Sequence, residues 1–262
     1  MLKIDDYAYT SALKDVHPVE KVGFAFAYLL FTIITKNICI SCLTFILMSI
    51  GIVLGAKIPF YHYIKLLLFP SFFLLSSIIA ILVSIAPANG ERINAIWSIQ
   101  MGSWQLYVSP YSINQAYHLA ATALASVSCL YFLILTTTLH QLIWVLKKGN
   151  LPTLFIELVG LTYRFIFVLL DKMHEIYLAQ SSRLGYQNYR VWITSIAQLI
   201  VSLFIKSIRS ARELQIAIDS RGGDEGLYEV ELNLTYNRFH CAGITFSIAA
   251  LLAITFITQI IE

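Results

Sequence analysis

Residues 191–223 read VWITSIAQLIVSLFIKSIRSARELQIAIDSRGG. A hydropathy window takes the first half of this run for a membrane span. A polar line threads it, however: Ser195, Gln198, Ser202, Lys206, Arg209 and Glu213. Steps of three and four put those side chains on one face of a helix and the Ile, Leu, Val and Phe on the other. Residues 191–218 therefore read as an amphipathic helix lying at or under a membrane surface. Gly222-Gly223 ends it, because glycine accepts the left-handed backbone that stops a helix. Residues 154–170, upstream, are also apolar but broken by Glu157 and Arg164; with Asp171 these sit seven apart, near one helical face. A shorter helix is expected around residues 140–148, before the two long ones.

Outward from this region the chain turns to hydrocarbon. Its 262 residues are 58% hydrophobic and 13% charged, where a soluble domain is about 45–50% apolar and about 25% charged. Residues 22–35 and 38–55 are apolar on either side of Lys36-Asn37. Together they exceed the roughly 20 residues of one span, so they read as two helices with a tight tip between them. The first is expected to start near Pro18, since proline suits a helix's first turn. Residues 61–85 form a third span with Pro70 inside it, 113–139 a fourth and 241–260 the last. Residues 86–112 read as a loop. Its Trp97, Trp104, Tyr107 and Tyr111 are residue types that favour the membrane–water boundary. The first 21 residues are polar and lack the apolar core of a cleavable signal peptide.

The expected fold class is an all-α membrane protein, with about five transmembrane helices and two or three long amphipathic helices. The expected domains are 1–139, holding four spans; 140–240, the amphipathic region; and 241–262, the final span. With the N-terminus cytoplasmic, Lys36 and Arg92 are the two basic residues left outside, and the other sixteen of eighteen fall inside or at the edge. That distribution follows the positive-inside rule. If 154–170 and 191–205 both crossed, Lys172, Arg183 and Arg190 would face outside.

The proposed spans contain no Asp or Glu, and His62, Lys65 and His118 are their ionisable side chains of note. Ion pathways and proton relays are built from intramembrane charge, so the chain alone reads poorly as a channel, pump or coupled transporter. Cys39 and Cys42 have CxxC spacing inside an apolar run and read as small packing residues. No phosphate-binding loop, nucleophile elbow or HExxH helix is present. Neither a catalytic site, nor a cofactor, nor a bound metal, nor a nucleic-acid partner is expected.

Two arginine triplets remain: Ser182-Arg183-Leu184 and Ser220-Arg221-Gly222. Each Arg follows Ser near an expected helix C-terminus, with a glycine one or two residues on. A guanidinium pairs bidentately with a carboxylate and stays charged, which suits a protein interface. It also suits a simple helix end, where the dipole favours a cation by roughly 0.3–1 kcal/mol.

The whole pattern resembles the T component of energy-coupling factor (ECF) transporters: a few spans, then long cytoplasmic coupling helices each ending in a short Ala/Ser-Arg-Gly-like motif. Ser220-Arg221-Gly222 matches closely; Ser182-Arg183-Leu184 is looser, its glycine coming one residue late at Gly185. Residues 4–9 (IDDYAY) and His17-Pro18-Val19-Glu20-Lys21 resemble the cobalt-transport CbiQ branch. The resemblance implies a non-catalytic scaffold in a bacterial or archaeal cell membrane. Two cytoplasmic ATP-binding subunits would dock on Ser182, Arg183 and Leu184, and on Ser220, Arg221 and Gly222. A separate membrane S component would capture cobalt or nickel. The alternatives are a shared T component of the vitamin-type branch, a stand-alone channel, or a membrane enzyme converging His118, His140 and His174.

Overall fold

The computed structural model describes residues 3–14, 16–87, 97–101 and 104–222, and alternate positions from 243 to 255. Four prolines mark where helices begin. α1 is Lys3–Thr10, and α2, Pro18–Thr35, opens on Pro18 with His17 Nδ1 accepting the Val19 N–H at 3.3 Å. α3 is Ile38–Ile50 and continues as a π-helical turn, Gly51–Gly55. α4, Phe60–Leu82, follows Pro59; α5, Pro110–Thr136, opens on Pro110. α6 is Leu139–Lys148, α7 is Thr153–Ser182 after Pro152, and α8 is Tyr189–Asp219. Proline is tolerated there because the first helical N–H groups have no intrahelical partner anyway.

At the expected tip, Lys36 takes a left-handed φ of 49° and the Asn37 side chain caps the Cys39 N–H at 3.0 Å. The described positions 243–255 are helical; the rest of the expected final span lies outside the described residues.

The stretch read as a loop holds a small sheet. β1 (Ser84–Pro87), β2 (Trp97–Met101) and β3 (Trp104–Val108) pair antiparallel in the order β1-β3-β2. Trp97 pairs with Val108 and Met101 with Trp104, so β2 and β3 form a hairpin joined by Gly102-Ser103 in the sequence. WSIQM and WQLYV are short apolar-rich runs around a Gly-Ser pair, a hairpin signal that the boundary-aromatic reading passed over. α1 is the other element beyond the expected set.

Six described helices are long and apolar enough to cross a membrane: α2, α3 with its π turn, α4, α5, α7 and α8. The chain is a multi-pass, predominantly helical membrane protein. It divides into two compact units, one of residues 143–232 and the other of 2–142 with 233–262.

In the second unit α3 packs along α5 through small residues: Ser41, Thr44, Ala125, Ser128 and Cys129 are all buried. Lipid offers apolar side chains no less apolar a home than a neighbouring helix does, so close approach of small residues drives the packing. Two of these hydroxyls are satisfied within their own helices. Thr44 donates to the Ile40 carbonyl at 2.9 Å and Ser128 to that of Leu124 at 3.0 Å. Between helices, the Tyr63 hydroxyl bridges Ser49 at 2.9 Å and Ser128 at 3.1 Å. Tyr28, Ile40, Met48, Ile52, Phe132, Leu135 and Leu251 fill the apolar core.

Lys21 is the unexpected part of this unit. It is 3% exposed, and its ammonium donates to the carbonyls of Leu13 (3.1 Å) and Thr136 (2.8 Å) and to Gln141 Oε1 (2.9 Å). The Gln141 amide donates in turn to the Lys14 carbonyl at 2.8 Å. One cation thus ties the start of α2, the end of α5, the start of α6 and the segment after α1. Three oxygens offset the desolvation that a buried ammonium suffers. Replacing Lys21 by Met strands those acceptors, which is expected to cost about 3 kcal/mol. Thermal unfolding of the detergent-solubilised chain checks this; an unchanged midpoint contradicts the role given to Lys21.

Candidate functional site

α7 and α8 belong to the first unit and run antiparallel, joined by a connection of six residues, 183–188. Their elbow is pinned by side chains. Ser195 Oγ donates to the Gly185 carbonyl at 2.7 Å, and Gln180 Nε2 to the Ser195 carbonyl at 3.1 Å. The Tyr186 hydroxyl donates to Gln180 Oε1 at 2.6 Å, with its ring 4.8 Å from that of Tyr177. A Cβ on Gly185 would lie 2.9 Å from both the Gln180 carbonyl oxygen and Ser195 Oγ. Only glycine lets the strand of chain leaving α7 come this close.

The two arginine triplets have the same backbone. The Arg183 N–H donates to the Gln180 carbonyl at 3.1 Å and that of Arg221 to Ile218 at 3.0 Å, each three residues back. The next N–H repeats the step: Leu184 to Ser181 at 3.0 Å, and Gly222 to Asp219 at 3.2 Å. That next residue is left-handed in both, with φ of 62° at Leu184 and 96° at Gly222. Each serine bonds back into its helix, Ser182 Oγ to the Leu178 carbonyl and Ser220 Oγ to that of Ala217, both at 2.9 Å. At the α7 end a further bond, Gly185 N–H to the Gln180 carbonyl at 2.9 Å, completes a Schellman-type stop. The glycine that arrives late in the first triplet is therefore no loosening of the turn. Leu184 occupies the left-handed position itself, and Gly185 serves the close approach to α8.

All six residues, Ser182, Arg183, Leu184, Ser220, Arg221 and Gly222, are exposed. Arg183 stands at the elbow and Arg221 beyond the far end of α8. A 31-residue helix is about 46 Å long, so the arginines are separated by roughly that distance. A standard interface of about 800 Å² a side is roughly 30 Å across. One partner surface of ordinary size does not cover both arginines; two do.

The other candidate residues have neighbours of their own. His118 Nδ1 lies 2.9 Å from the Lys36 carbonyl oxygen, a contact across the α2–α3 tip. His140 Nδ1 lies 3.3 Å from the Tyr9 hydroxyl, while His174 belongs to α7 in the other unit. Cys39 and Cys42 are exposed and unbridged. Among the described residues no three His, Cys, Asp or Glu side chains come together as metal ligands do.

A leucine held in left-handed backbone costs about 1 kcal/mol relative to glycine. Leu184 is 63% exposed, so little packing is lost with its side chain. Leu184→Gly is therefore expected to raise hydrogen-exchange protection at the 184 and 185 amides by roughly fivefold, and Gly185→Ala to lower it. Reduced protection in Leu184→Gly contradicts the turn.

The chain is similar in sequence to known proteins. The model of the CbiQ family, described as cobalt transport protein, matches residues 10–231. The cobalt transport protein CbiQ of Salmonella typhimurium is 26% identical over 178 residues, 68% of this chain and 76% of that one. A putative fused cobalt transport protein, CbiMQ, of Methanocorpusculum labreanum is 28% identical over 218 residues, 83% of this chain but 36% of the longer protein. The energy-coupling factor transporter transmembrane protein EcfT of Bacillus selenitireducens is 24% identical over 229 residues, 82% of each. With 10–231 of its 262 residues matched, the chain belongs to the CbiQ family of cobalt transport proteins, relatives of the membrane component of ECF-type transporters.

Proposed function

We propose that this chain is the T component of an ATP-driven ECF-type importer. It couples ATP hydrolysis by two cytoplasmic partner subunits to uptake of a transition-metal ion, cobalt, through a separate membrane S component. The observation that carries the reading is the matching pair of Ser-Arg turns, exposed and about 46 Å apart along α8. Each arginine enters a groove on one ATPase and meets a carboxylate there. The planar fork fixes orientation as well as charge, so a force on the partner is passed to the helix end. α7 and α8, 30 and 31 residues long, then act as stiff levers.

In this reading the N-terminus is cytoplasmic and five helices span, with 140–240 forming a cytoplasmic coupling domain. The positive-inside distribution supports that orientation. Ile200, Phe204, Ile208 and Ile216 on α8 are exposed, and apolar surface of this kind is covered in the assembly by lipid headgroup region or by the S component. ATP chemistry belongs to the partners in this reading, and the lack of a phosphate-binding loop in the sequence is consistent with it. Metal selection is assigned to the S component in this reading. Similarity to EcfT supports a second reading, a shared component of the vitamin-type branch; dependence of cobalt uptake on this chain separates the two.

Charge reversal tests the docking. Breaking a desolvated charge pair costs about 2–5 kcal/mol, so Arg183→Glu and Arg221→Glu are each expected to weaken docking of the ATPase at that arginine by tenfold or more, about 1.4 kcal/mol per decade, and to cut cobalt uptake with it. Arg→Lys falls between, keeping charge and losing the fork. Pull-down of both ATPases at wild-type levels by the double Glu variant sinks docking through these residues and leaves the arginines as helix caps.

A further inference from the structure

The α7–α8 hairpin carries charges that the docking turns do not use. Beyond the elbow the arms flank a gap of about 300 Å³, with Arg164 on one wall and Glu213 on the other among Leu161, Phe165 and Leu214. A second gap nearer the elbow puts Ile176 and Gln180 of α7 across from Gln198 and Ser202 of α8. The two gaps fix one antiparallel alignment. Seven residues toward the elbow from Arg164 is Asp171, and seven toward the elbow from Glu213 is Lys206. Each step is two turns, about 10.5 Å, and keeps the same helix face. Asp171 therefore falls opposite Lys206 as Arg164 falls opposite Glu213.

The signs are complementary at both levels, and they alternate along each helix. A slip of seven residues puts Arg164 against Lys206 or Asp171 against Glu213, so the pattern also rejects the neighbouring register. Among the described residues no ion pair joins α7 to α8; Lys172 is committed to Glu175 within α7 at 3.1 Å. Arg164 and Glu213 line one open gap, and the heptad step sets Asp171 and Lys206 at the next level toward the elbow.

We infer that Arg164–Glu213 and Asp171–Lys206 are interhelical ion pairs that close the hairpin arms in one register, and that they are positioning residues setting where Arg221 is held relative to Arg183. The effect on transport rests on the docking reading; the pairing itself does not. Cysteines at Leu161 and Leu214, on a chain with its native cysteines replaced by serine, report the closed arms by oxidative cross-linking in membranes. Native charges are expected to cross-link well. Arg164→Glu and Glu213→Arg singly are expected to lower the yield by roughly threefold, as loss of an exposed pair allows, and the charge swap Arg164→Glu/Glu213→Arg to restore it. Asp171→Lys, Lys206→Asp and their swap are expected to behave alike. In the parent with native charges, raising salt is expected to lower the yield, because exposed pairs are screened; that arm stands even if a charge variant does not accumulate. Yields indifferent to salt and to charge, or a swap no better than the single changes, overturn the proposal. Charge-dependent cross-linking with uptake unaffected by any of these variants keeps the pairs and counts against their role in transport.

Discussion

The hydroxyl of Ser195 on the carbonyl of Gly185, at 2.7 Å, and the Gln180 amide on the carbonyl of Ser195, at 3.1 Å, turn one long helix back along another. What the rest of the first unit can do follows from that elbow. It sets α7 and α8 antiparallel, and it thereby puts the C-terminal end of α7 at one extremity of α8 and the C-terminal end of α8 at the other. Two similar helix stops, each built from Ser-Arg and a left-handed residue, are presented about one helix length apart. A chain that joined the helices with a long flexible loop would carry the same motifs without fixing their spacing.

The second unit meets a different constraint. Within hydrocarbon every polar group needs a partner inside the protein. The hydroxyls of Thr32, Thr44, Ser128 and Thr136 therefore fold back on carbonyls of their own helices. Lys21 extends the same economy to a full charge, shared among three oxygens from three segments. Among the described residues, these buried polar groups of the unit thus go into holding its helices together.

Much of the architecture was legible because proline and periodicity act locally. Pro18, Pro59, Pro110 and Pro152 each lie at a helix start, and the three-and-four spacing from Ser195 to Glu213 runs along α8 as expected. The features that escaped depend on partners far away in the chain. β1 pairs with β3 across some twenty residues, so Ser84–Pro87 carries no strand signal of its own. The role of Lys21 depends on Thr136 and Gln141, more than a hundred residues away. The equivalence of the two arginine turns was half visible: Gly222 announced its left-handed backbone, whereas Leu184 hides the same conformation behind an ordinary side chain.

Docking of one partner on each arginine is tested most directly by counting subunits. Native mass spectrometry of the purified complex should give two ATPase subunits per wild-type chain, one with either Arg183→Glu or Arg221→Glu, and none with both. Two subunits retained by the doubly substituted chain, or both lost together with either single change, would contradict independent docking at two helix ends.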